Sequence, residues 1–170
     1  MINISVSPPF LAFTVKAIDG RLREIVTDSE IFVAKEISSL FKVTRKSESV
    51  KAIWDTGATN TVISSAIALR LGLIPTGKAT ARDANREYES NTYIVDIGLP
   101  NRVMIESVQV TEANNLGTYD LLIGMDLIMI GDFAITNANG NTWCSFRVPP
   151  DGIHIDYVAR ADEIQKKKIR

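Results

Sequence analysis

The sequence is poor in the residues that disulfide frameworks and most metal sites require. Its 170 residues include one cysteine, Cys144, and one histidine, His154. A single cysteine excludes an internal disulfide framework, so we expect a reducing compartment and a cytoplasmic protein. A single histidine excludes a histidine-rich metal site, and a Ser-His-Asp triad would have to use His154, for which no serine is singled out. No pattern implies a metal or an organic cofactor.

The chain also has no excess of charge and no long apolar run. Its 19 basic and 20 acidic residues leave a net charge of −1, so we expect neither nucleic acid nor a membrane surface as a partner. No apolar run approaches the roughly 20 residues of a membrane span, and Met1 is not followed by the pattern of a secretory signal. The basic cluster at residues 166–170 is expected to be a solvated tail.

Apolar β-forming stretches separated by turn residues predict an all-β domain with one or two short helices. The predicted strands are 11–18, 21–27, 50–54, 61–63, 78–82, 88–97, 103–110, 119–124, 133–136 and 142–148. The predicted helices are 66–71, 125–130 and a surface helix at 157–168. Asp19-Gly20 predicts a hairpin between the first two strands. Residues 29–41 suit a strand or a helix, and residues 42–49 are predicted to be a loop.

The most informative stretch is residues 53–63, Ile-Trp-Asp-Thr-Gly-Ala-Thr-Asn-Thr-Val-Ile. It places Asp55 in a tight turn at a strand end, where a carboxylate suits general acid/base work. Gly57 allows a sharp turn and close approach to another chain, because it has no Cβ. The Thr56 hydroxyl can bond to neighbouring backbone, and Ala58 is small enough to pack beneath the turn. As a bare tripeptide, Asp-Thr-Gly is more often a plain turn.

The motif occurs once in the chain. If Asp55 faces a second copy of itself, the two carboxylates cannot both ionise easily and share a proton. One can then take a proton from water while the other hydrogen-bonds the substrate carbonyl.

A second element follows at residues 121–127, Leu-Leu-Ile-Gly-Met-Asp-Leu. Its apolar strand ends at Gly124, which allows another close approach of backbone. Asp126 is interpreted as a helix-start residue in preference to a second catalytic acid.

Together the two motifs resemble those of retropepsin-like aspartic proteases. Residues 53–63 resemble the active-site loop of that family, and Leu122, Ile123 and Gly124 resemble the hydrophobic-hydrophobic-glycine element behind it. The resemblance covers residues 50–148, which we expect to be the protease domain. Residues 1–49 would then be N-terminal strands or an extension of uncertain role, and residues 149–170 a polar tail or helix.

The resemblance is closer to cellular or bacterial members of the family than to viral ones. Thr59 and Asn60 stand where viral enzymes carry acidic residues, and Met125 stands where they carry an arginine.

The resemblance implies a retropepsin-like closed β-barrel or sandwich that needs a dimer for a complete site. Asp55 would be catalytic, Thr56 would interlock with its copy in the partner subunit, and Gly57 would contact the substrate backbone. The flap that closes over the substrate would have at its tip Asp83, Ala84, Asn85 and Arg86. The implied function is that of a homodimeric aspartic endopeptidase acting on extended peptides. The alternative is a non-catalytic dimerisation or peptide-binding module, which the single copy of the motif motivates.

Two further patterns are interpreted as structural. Residues 72–78 match most of a phosphate-binding loop, but Ala79 replaces the required Ser or Thr and Pro75 lies inside the segment. Cys144 beside Trp143 lies in a predicted strand and is expected to be a buried structural thiol.

Overall fold

Ten strands and four helices are connected by short loops in the computed structural model, which describes residues 10–18, 20–82 and 87–168. The strands are β1 Leu11–Lys16, β2 Ile25–Val33, β3 Ser47–Trp54, β4 Val62–Ser64, β5 Gly77–Arg82, β6 Glu87–Leu99, β7 Val103–Ala113, β8 Leu121–Ile123, β9 Asp132–Ala138 and β10 Asn141–Val148. The helices are α1 Lys35–Phe41, α2 Ser65–Leu71, α3 Met125–Ile128 and α4 Tyr157–Lys168, and Pro100–Arg102 forms a 3₁₀ turn. The predominance of strands confirms the predicted all-β class.

Six of the strands close into a barrel. The larger sheet has the order β2-β3-β8-β4-β7-β6-β5, and an additional pairing of β2 with β6 closes it, which leaves β5 outside the ring. Most neighbours are antiparallel, but β3 runs parallel to β8 and β4 runs parallel to β7. The fully buried core includes Ile31, Ile63, Val95, Ile97, Leu121 and Ile123. Because β2 is one of the barrel strands, the barrel begins within the segment 1–49.

A separate three-stranded antiparallel sheet has the order β1-β10-β9. Aromatic contacts connect it to the end of β3. The Trp54 ring stacks on Phe133 of β9 with centroids 5.1 Å apart, and it meets Phe146 of β10 at 5.3 Å and Phe13 of β1 at 5.8 Å. The last residue of β3 is therefore packed against every strand of the smaller sheet.

The prediction of a hairpin between the first two strands is wrong. β1 pairs with β10, whereas β2 pairs with β3 and β6. Gly20 has a φ of 81° and is hydrogen-bonded to β10, because its C=O accepts from the Thr142 N–H at 3.0 Å and its N–H donates to the Asn141 side chain at 3.1 Å. These long-range bonds replace a local two-residue turn. Asp19 lies outside the described residues.

Other boundaries differ by a few residues from those predicted. Residues 29–41, which the sequence left open, contain the end of β2 and then α1, and β3 begins at Ser47, inside the predicted loop 42–49. The helix predicted at 66–71 is confirmed as α2. The Ser64 hydroxyl caps it by accepting from the Ile67 N–H at 3.3 Å, and Gly72 ends it in the left-handed conformation at φ 63°.

Candidate active site

Asp55 is the first residue after β3, and the pairing of two strands fixes its position. β3 lies parallel to β8 with Trp54 opposite Ile123, and the Asp55 N–H donates to the Ile123 C=O at 3.0 Å. Trp54 and Ile123 are 7% and 0% exposed. The backbone at Asp55 is thus fixed by a hydrogen bond and by buried apolar side chains on both strands.

The turn at Asp55 orients the carboxylate. The Gly57 N–H donates to Asp55 Oδ1 at 2.8 Å, and the Ala58 N–H donates to the Asp55 C=O at 3.2 Å. A Cβ added at Gly57 would lie 3.1 Å from Asp55 Oδ1, so a side chain there would press on the carboxylate. Among the described residues, no donor contacts Oδ2 and no second carboxylate is bonded to Asp55. The carboxylate is therefore oriented through one oxygen, with the other open to water or a substrate.

Gly124 brings the second motif against the active-site loop. A Cβ added at Gly124 would lie 2.5 Å from both the carbonyl carbon and the oxygen of Asn60. Beside this contact, the Met125 N–H donates to the Ala58 C=O at 2.8 Å and the Asp126 N–H to the Thr59 C=O at 3.1 Å. The start of α3 therefore holds the far side of the loop, and only glycine permits the approach.

Two further residues that sequence reasoning did not assign to the site connect these motifs. The Thr61 N–H donates to Asp126 Oδ2 at 2.9 Å and the Thr61 hydroxyl to Asp126 Oδ1 at 2.7 Å. The same hydroxyl oxygen accepts from the Gly124 N–H at 3.2 Å. Asp126 lies in the first turn of α3, which confirms its interpretation as a helix-start residue. Its pairing with Thr61 depends on tertiary contact, for which the sequence carries no local signal.

β5 and β6 form a hairpin at the position predicted for the flap. Gly77 pairs with Thr92, and the ladder continues to Arg82 opposite Glu87. The predicted tip, Asp83, Ala84, Asn85 and Arg86, lies outside the described residues. Between the base of this hairpin and the active-site loop there is a cavity of about 510 Å³, whose lining includes Asn60, Ala79, Gln109 and Ile130.

A polar cluster lies on β6 and β7, near the base of the hairpin. The Tyr93 hydroxyl donates to Glu112 Oε2 at 2.6 Å, and the Asn91 side-chain amide donates to the same oxygen at 3.0 Å. Burial and the bond to Glu112 raise the pKa of Tyr93 to about 12. Burial alone would raise the pKa of Glu112, but hydrogen bonds from Tyr93, Ser65 and Asn91 outweigh it and lower that pKa.

Cys144 and residues 72–78, the two other patterns noted in the sequence, have structural roles. Cys144 is 1% exposed, and burial raises its pKa to about 11, which confirms a buried thiol. Gly72 ends α2 and Gly77 begins β5, so residues 72–78 connect a helix to a strand and not a strand to a helix, as a phosphate-binding loop requires. Within the described ranges, no group of three or more His, Cys, Asp and Glu side chains could hold a metal ion.

Sequence comparison identifies a family for the chain that carries the Asp55 loop and Gly124. The profile of the family described as gag-polyprotein putative aspartyl protease matches residues 41–129, a range that includes the Asp55 loop, the β5–β6 hairpin and Gly124. The chain belongs to the retropepsin-like aspartic protease superfamily. No curated protein matches it in sequence.

One solved structure supports the retropepsin-like fold. A retropepsin-like aspartic protease from Rickettsia conorii superimposes with a TM-score of 0.51 at 13% identity, over 84% of this chain and 98% of the other. The EIAV protease in complex with the inhibitor HBY-793 gives a TM-score of 0.42 at 17% identity, over 63% and 86% of the two chains. The retroviral protease-like domain of Ddi1 from Leishmania major gives 0.38 at 17%, over 69% and 91%. The predicted retropepsin-like fold is confirmed.

The predicted site residues fall into two groups. Asp55, Thr56, Gly57 and Ala58 form the turn at the end of β3, and Leu122, Ile123 and Gly124 lie beside it on β8 and its extension. The catalytic and supporting roles of all these residues stay predictions.

Proposed function

We propose that this retropepsin-like chain is an aspartic endopeptidase whose active site is completed by a second copy of itself. The observation that supports this most is the single carboxylate of Asp55, oriented through Oδ1 by the Gly57 N–H at 2.8 Å. The loop around it is fixed on one side by Ile123 and on the other by Gly124. A rigid loop that presents one acidic group, with no second carboxylate bonded to it in the described part of the chain, fits half of a carboxylate dyad.

In the proposed mechanism, the Asp55 side chains of the two subunits share one proton, because two adjacent carboxylates do not both ionise easily. The ionised carboxylate takes a proton from a water molecule, whose oxygen attacks the scissile carbonyl carbon. The protonated carboxyl gives its proton to the carbonyl oxygen. The carboxyl that took the proton from water then gives it to the amide nitrogen, and the C–N bond breaks as the other carboxylate takes a proton from one hydroxyl of the tetrahedral intermediate. The pair titrates as a unit, so two apparent pKa values describe the dyad and not either residue.

The proposed substrate is an extended peptide. Such a peptide can bind as an added β-strand, with backbone hydrogen bonds to neighbouring strands and pockets for alternate side chains. The mechanism needs no metal, organic cofactor, nucleic acid or membrane. Within the part of the chain that the structure describes, no helix is long and apolar enough to cross a membrane.

Replacement of Asp55 tests this function. Asp55→Asn removes the base and keeps the shape and the oxygen that accepts from Gly57, so the fold and the oligomeric state should be unchanged while peptide cleavage is lost. Asp28→Asn is a matched control, since Asp28 is an exposed carboxylate on β2 that pairs with Lys51. The control should cleave at the wild-type rate, and pepstatin, a transition-state analogue, should inhibit both it and the wild type.

The second candidate function is a non-catalytic dimerisation or peptide-binding module. The single copy of the motif favours it, because a chain that stays monomeric has only half of the dyad. A strict monomer at micromolar concentration that neither cleaves peptides nor responds to pepstatin would favour this module over the protease.

A further inference from the structure

The connection between β2 and β3 is a loop that is fixed at both of its ends. It covers residues 34–46, contains α1, and is called here the α1 loop. Asp96 Oδ2 accepts from the Lys35 N–H at 3.1 Å at one end of the loop and from the Arg45 guanidinium at 2.8 Å at the other. Because Asp96 is only 1% exposed, a buried carboxylate holds this surface loop in one position on the barrel.

The apolar face of α1 is covered over only half of its length. Ile37, Leu40 and Phe41 are three and four residues apart, so they lie on the same face of the helix. Such a face normally packs against the core. Ile37 does so, but Leu40 is 72% exposed and Phe41 is 50% exposed. Val43, just after the helix, is 41% exposed, so the second half of the face is uncovered in the described part of the chain.

Exposed lysines flank these apolar side chains. Lys35, Lys42 and Lys46 are exposed, and none of them forms an ion pair with another described residue. Arg45 is already paired, and Glu36 is the one carboxylate of the loop. The loop is therefore basic, although the net charge of −1 for the whole chain, from which the sequence predicts no membrane partner, averages over it.

The shape and chemistry of the α1 loop fit a lipid surface better than a protein or a nucleic acid. Four cavities of about 180 to 690 Å³ are lined by residues outside the loop. Stable protein interfaces bury about 800 Å² on each partner, and three exposed apolar side chains supply only a fraction of it. A nucleic acid would neutralise the lysines and leave Leu40 and Phe41 in water. The surface of an anionic bilayer accepts both, because it offers acidic headgroups beside an apolar acyl boundary.

We propose that the α1 loop binds the surface of anionic membranes, with Leu40 and Phe41 at the boundary between headgroups and acyl chains and the three lysines among the headgroups. The binding is peripheral and reversible, because stable anchoring takes stronger signals than these. The loop precedes β3, whereas Asp55 follows the eight residues of that strand, so the two lie roughly 25 Å apart. The proposal therefore goes beyond the proposed function and does not depend on the chemistry of Asp55.

Co-sedimentation of the full chain with lipid vesicles tests the proposal. The wild type should bind vesicles of phosphatidylcholine that contain about 30 mol% phosphatidylserine. Binding to vesicles of phosphatidylcholine alone should be at least roughly tenfold weaker, because the lysines then meet no acidic headgroups. Added salt should weaken the binding to anionic vesicles, since it screens the lysines.

Two double variants separate the charged contribution from the apolar one. Lys42→Glu with Lys46→Glu should lower the partition coefficient on anionic vesicles by at least roughly tenfold, because two attractions become repulsions. Leu40→Asn with Phe41→Asn should lower it by about fivefold or more, because the apolar side chains no longer enter the bilayer. All four residues are exposed, so the thermal midpoint of each variant should stay close to that of the wild type.

Two matched controls change the same kinds of residue elsewhere on the surface. Leu69→Asn replaces a leucine of α2 that is 81% exposed. Lys166→Glu with Lys167→Glu reverses two exposed lysines of α4. Both controls should bind anionic vesicles like the wild type. All the variants should hydrolyse a soluble peptide at the wild-type rate, so this test and that of the protease can fail separately.

Tryptophan fluorescence gives a readout of insertion that does not need the charged variants. Phe41→Trp adds an indole at an exposed position, whereas Trp54 is buried. The emission of this variant, after subtraction of the wild-type spectrum, should shift to the blue on anionic vesicles and should be quenched by brominated acyl chains. An unchanged spectrum in the presence of bound vesicles would overturn the insertion of Phe41.

The remaining outcomes decide between this surface and others. A wild type that does not bind anionic vesicles overturns the proposal. Vesicle binding that the α4 control loses and both loop variants keep also overturns it and assigns the contact to α4. Binding of a single-stranded oligonucleotide or a polyglutamate peptide, lost in Lys42→Glu with Lys46→Glu and found without vesicle binding, would replace the lipid by a nucleic acid or an acidic protein.

Discussion

Thr61 and Asp126 are joined by two hydrogen bonds, with the Thr61 N–H 2.9 Å from Asp126 Oδ2 and the Thr61 hydroxyl 2.7 Å from Asp126 Oδ1. The Leu127 N–H also donates to Oδ1 at 2.9 Å. One carboxylate thus gathers three donors from the end of the active-site loop and the start of α3. Because Thr61 is fully buried, these donors have no access to water as an alternative partner.

This pair should be energetically coupled. Asp126→Leu leaves the buried Thr61 donors unsatisfied, and Thr61→Val removes the acceptor of the Gly124 N–H, so each should destabilise the fold by about 1–3 kcal/mol. Urea denaturation of the single variants and the double variant should give a coupling energy of about 1 kcal/mol or more. Purely additive effects would show that the two residues act independently.

The contact between Gly124 and Asn60 should tolerate no side chain. Gly124→Ala would place a Cβ 2.5 Å from the Asn60 backbone, so the loop must move. We expect a destabilisation of about 1–3 kcal/mol and a fall in kcat/KM for peptide hydrolysis. Gly152→Ala is the control, because a Cβ there meets nothing within 4 Å, although its φ of 76° adds strain. Wild-type kcat/KM in the Gly124 variant would contradict the role of this contact.

The local part of the site could be predicted from the sequence because it lies in contiguous residues. Asp55, Gly57 and Ala58 form a turn whose bonds are between near neighbours, and Gly124 ends an apolar run. The pairing of Thr61 with Asp126 could not be predicted, because it depends on the antiparallel pairing of β4 with β8, which brings distant segments together.

The strand partners were predicted less well than the strands. Asp19-Gly20 is a good local hairpin signal, but β1 instead pairs with β10, where Phe13 lies opposite Phe146 in the register and packs against Trp54. Burial of these aromatic rings outweighs the local turn preference. Burial of apolar side chains also explains why β2, within the segment 1–49, belongs to the barrel, since its Ile31 and Val33 are buried in the core.

Glu112 should make stability depend on pH in acid. Its pKa is lowered in the folded protein, so the stabilisation it gives is present above its ordinary pKa of 4.5 and is lost as the pH falls through the folded value. Urea midpoints should therefore drop from about pH 5 to pH 3 more steeply for the wild type than for Glu112→Gln. Glu89→Gln, at an exposed carboxylate, should keep the wild-type slope. Equal slopes for wild type and Glu112→Gln would contradict the assignment.

The raised pKa of Tyr93 predicts that the folded protein loses stability in alkali. The pKa of Tyr93 is about 12 in the folded protein and ordinarily 10.0, so the stabilisation that its hydroxyl gives is full below pH 10 and is lost as the pH approaches 12. Spectrophotometric titration of Tyr93→Phe against the wild type should show that one late-titrating tyrosine is missing. A tyrosine that titrates near pH 10 at this position would contradict the buried hydrogen bond to Glu112.

Asp96 should be important for the fold and not for the chemistry. Its carboxylate is 1% exposed and accepts from the Lys35 N–H at 3.1 Å, the Ser107 N–H at 2.9 Å and the Arg45 guanidinium at 2.8 Å. Asp96→Ala should cost about 3 kcal/mol, because backbone donors lose their acceptor. Arg45→Ala should leave those backbone bonds in place and cost less. Thermal denaturation compares the two, and a larger loss for Arg45→Ala would contradict this order.

The most direct test of the account is digestion of a peptide library by the wild type and by Asp55→Asn, each at a concentration where it is dimeric, from pH 3 to pH 8. We predict cleavage at defined bonds by the wild type and a loss of at least roughly 10³-fold in rate for Asp55→Asn, with fold and dimer retained. Cleavage at the wild-type rate by Asp55→Asn would contradict the assignment of Asp55 as the catalytic residue.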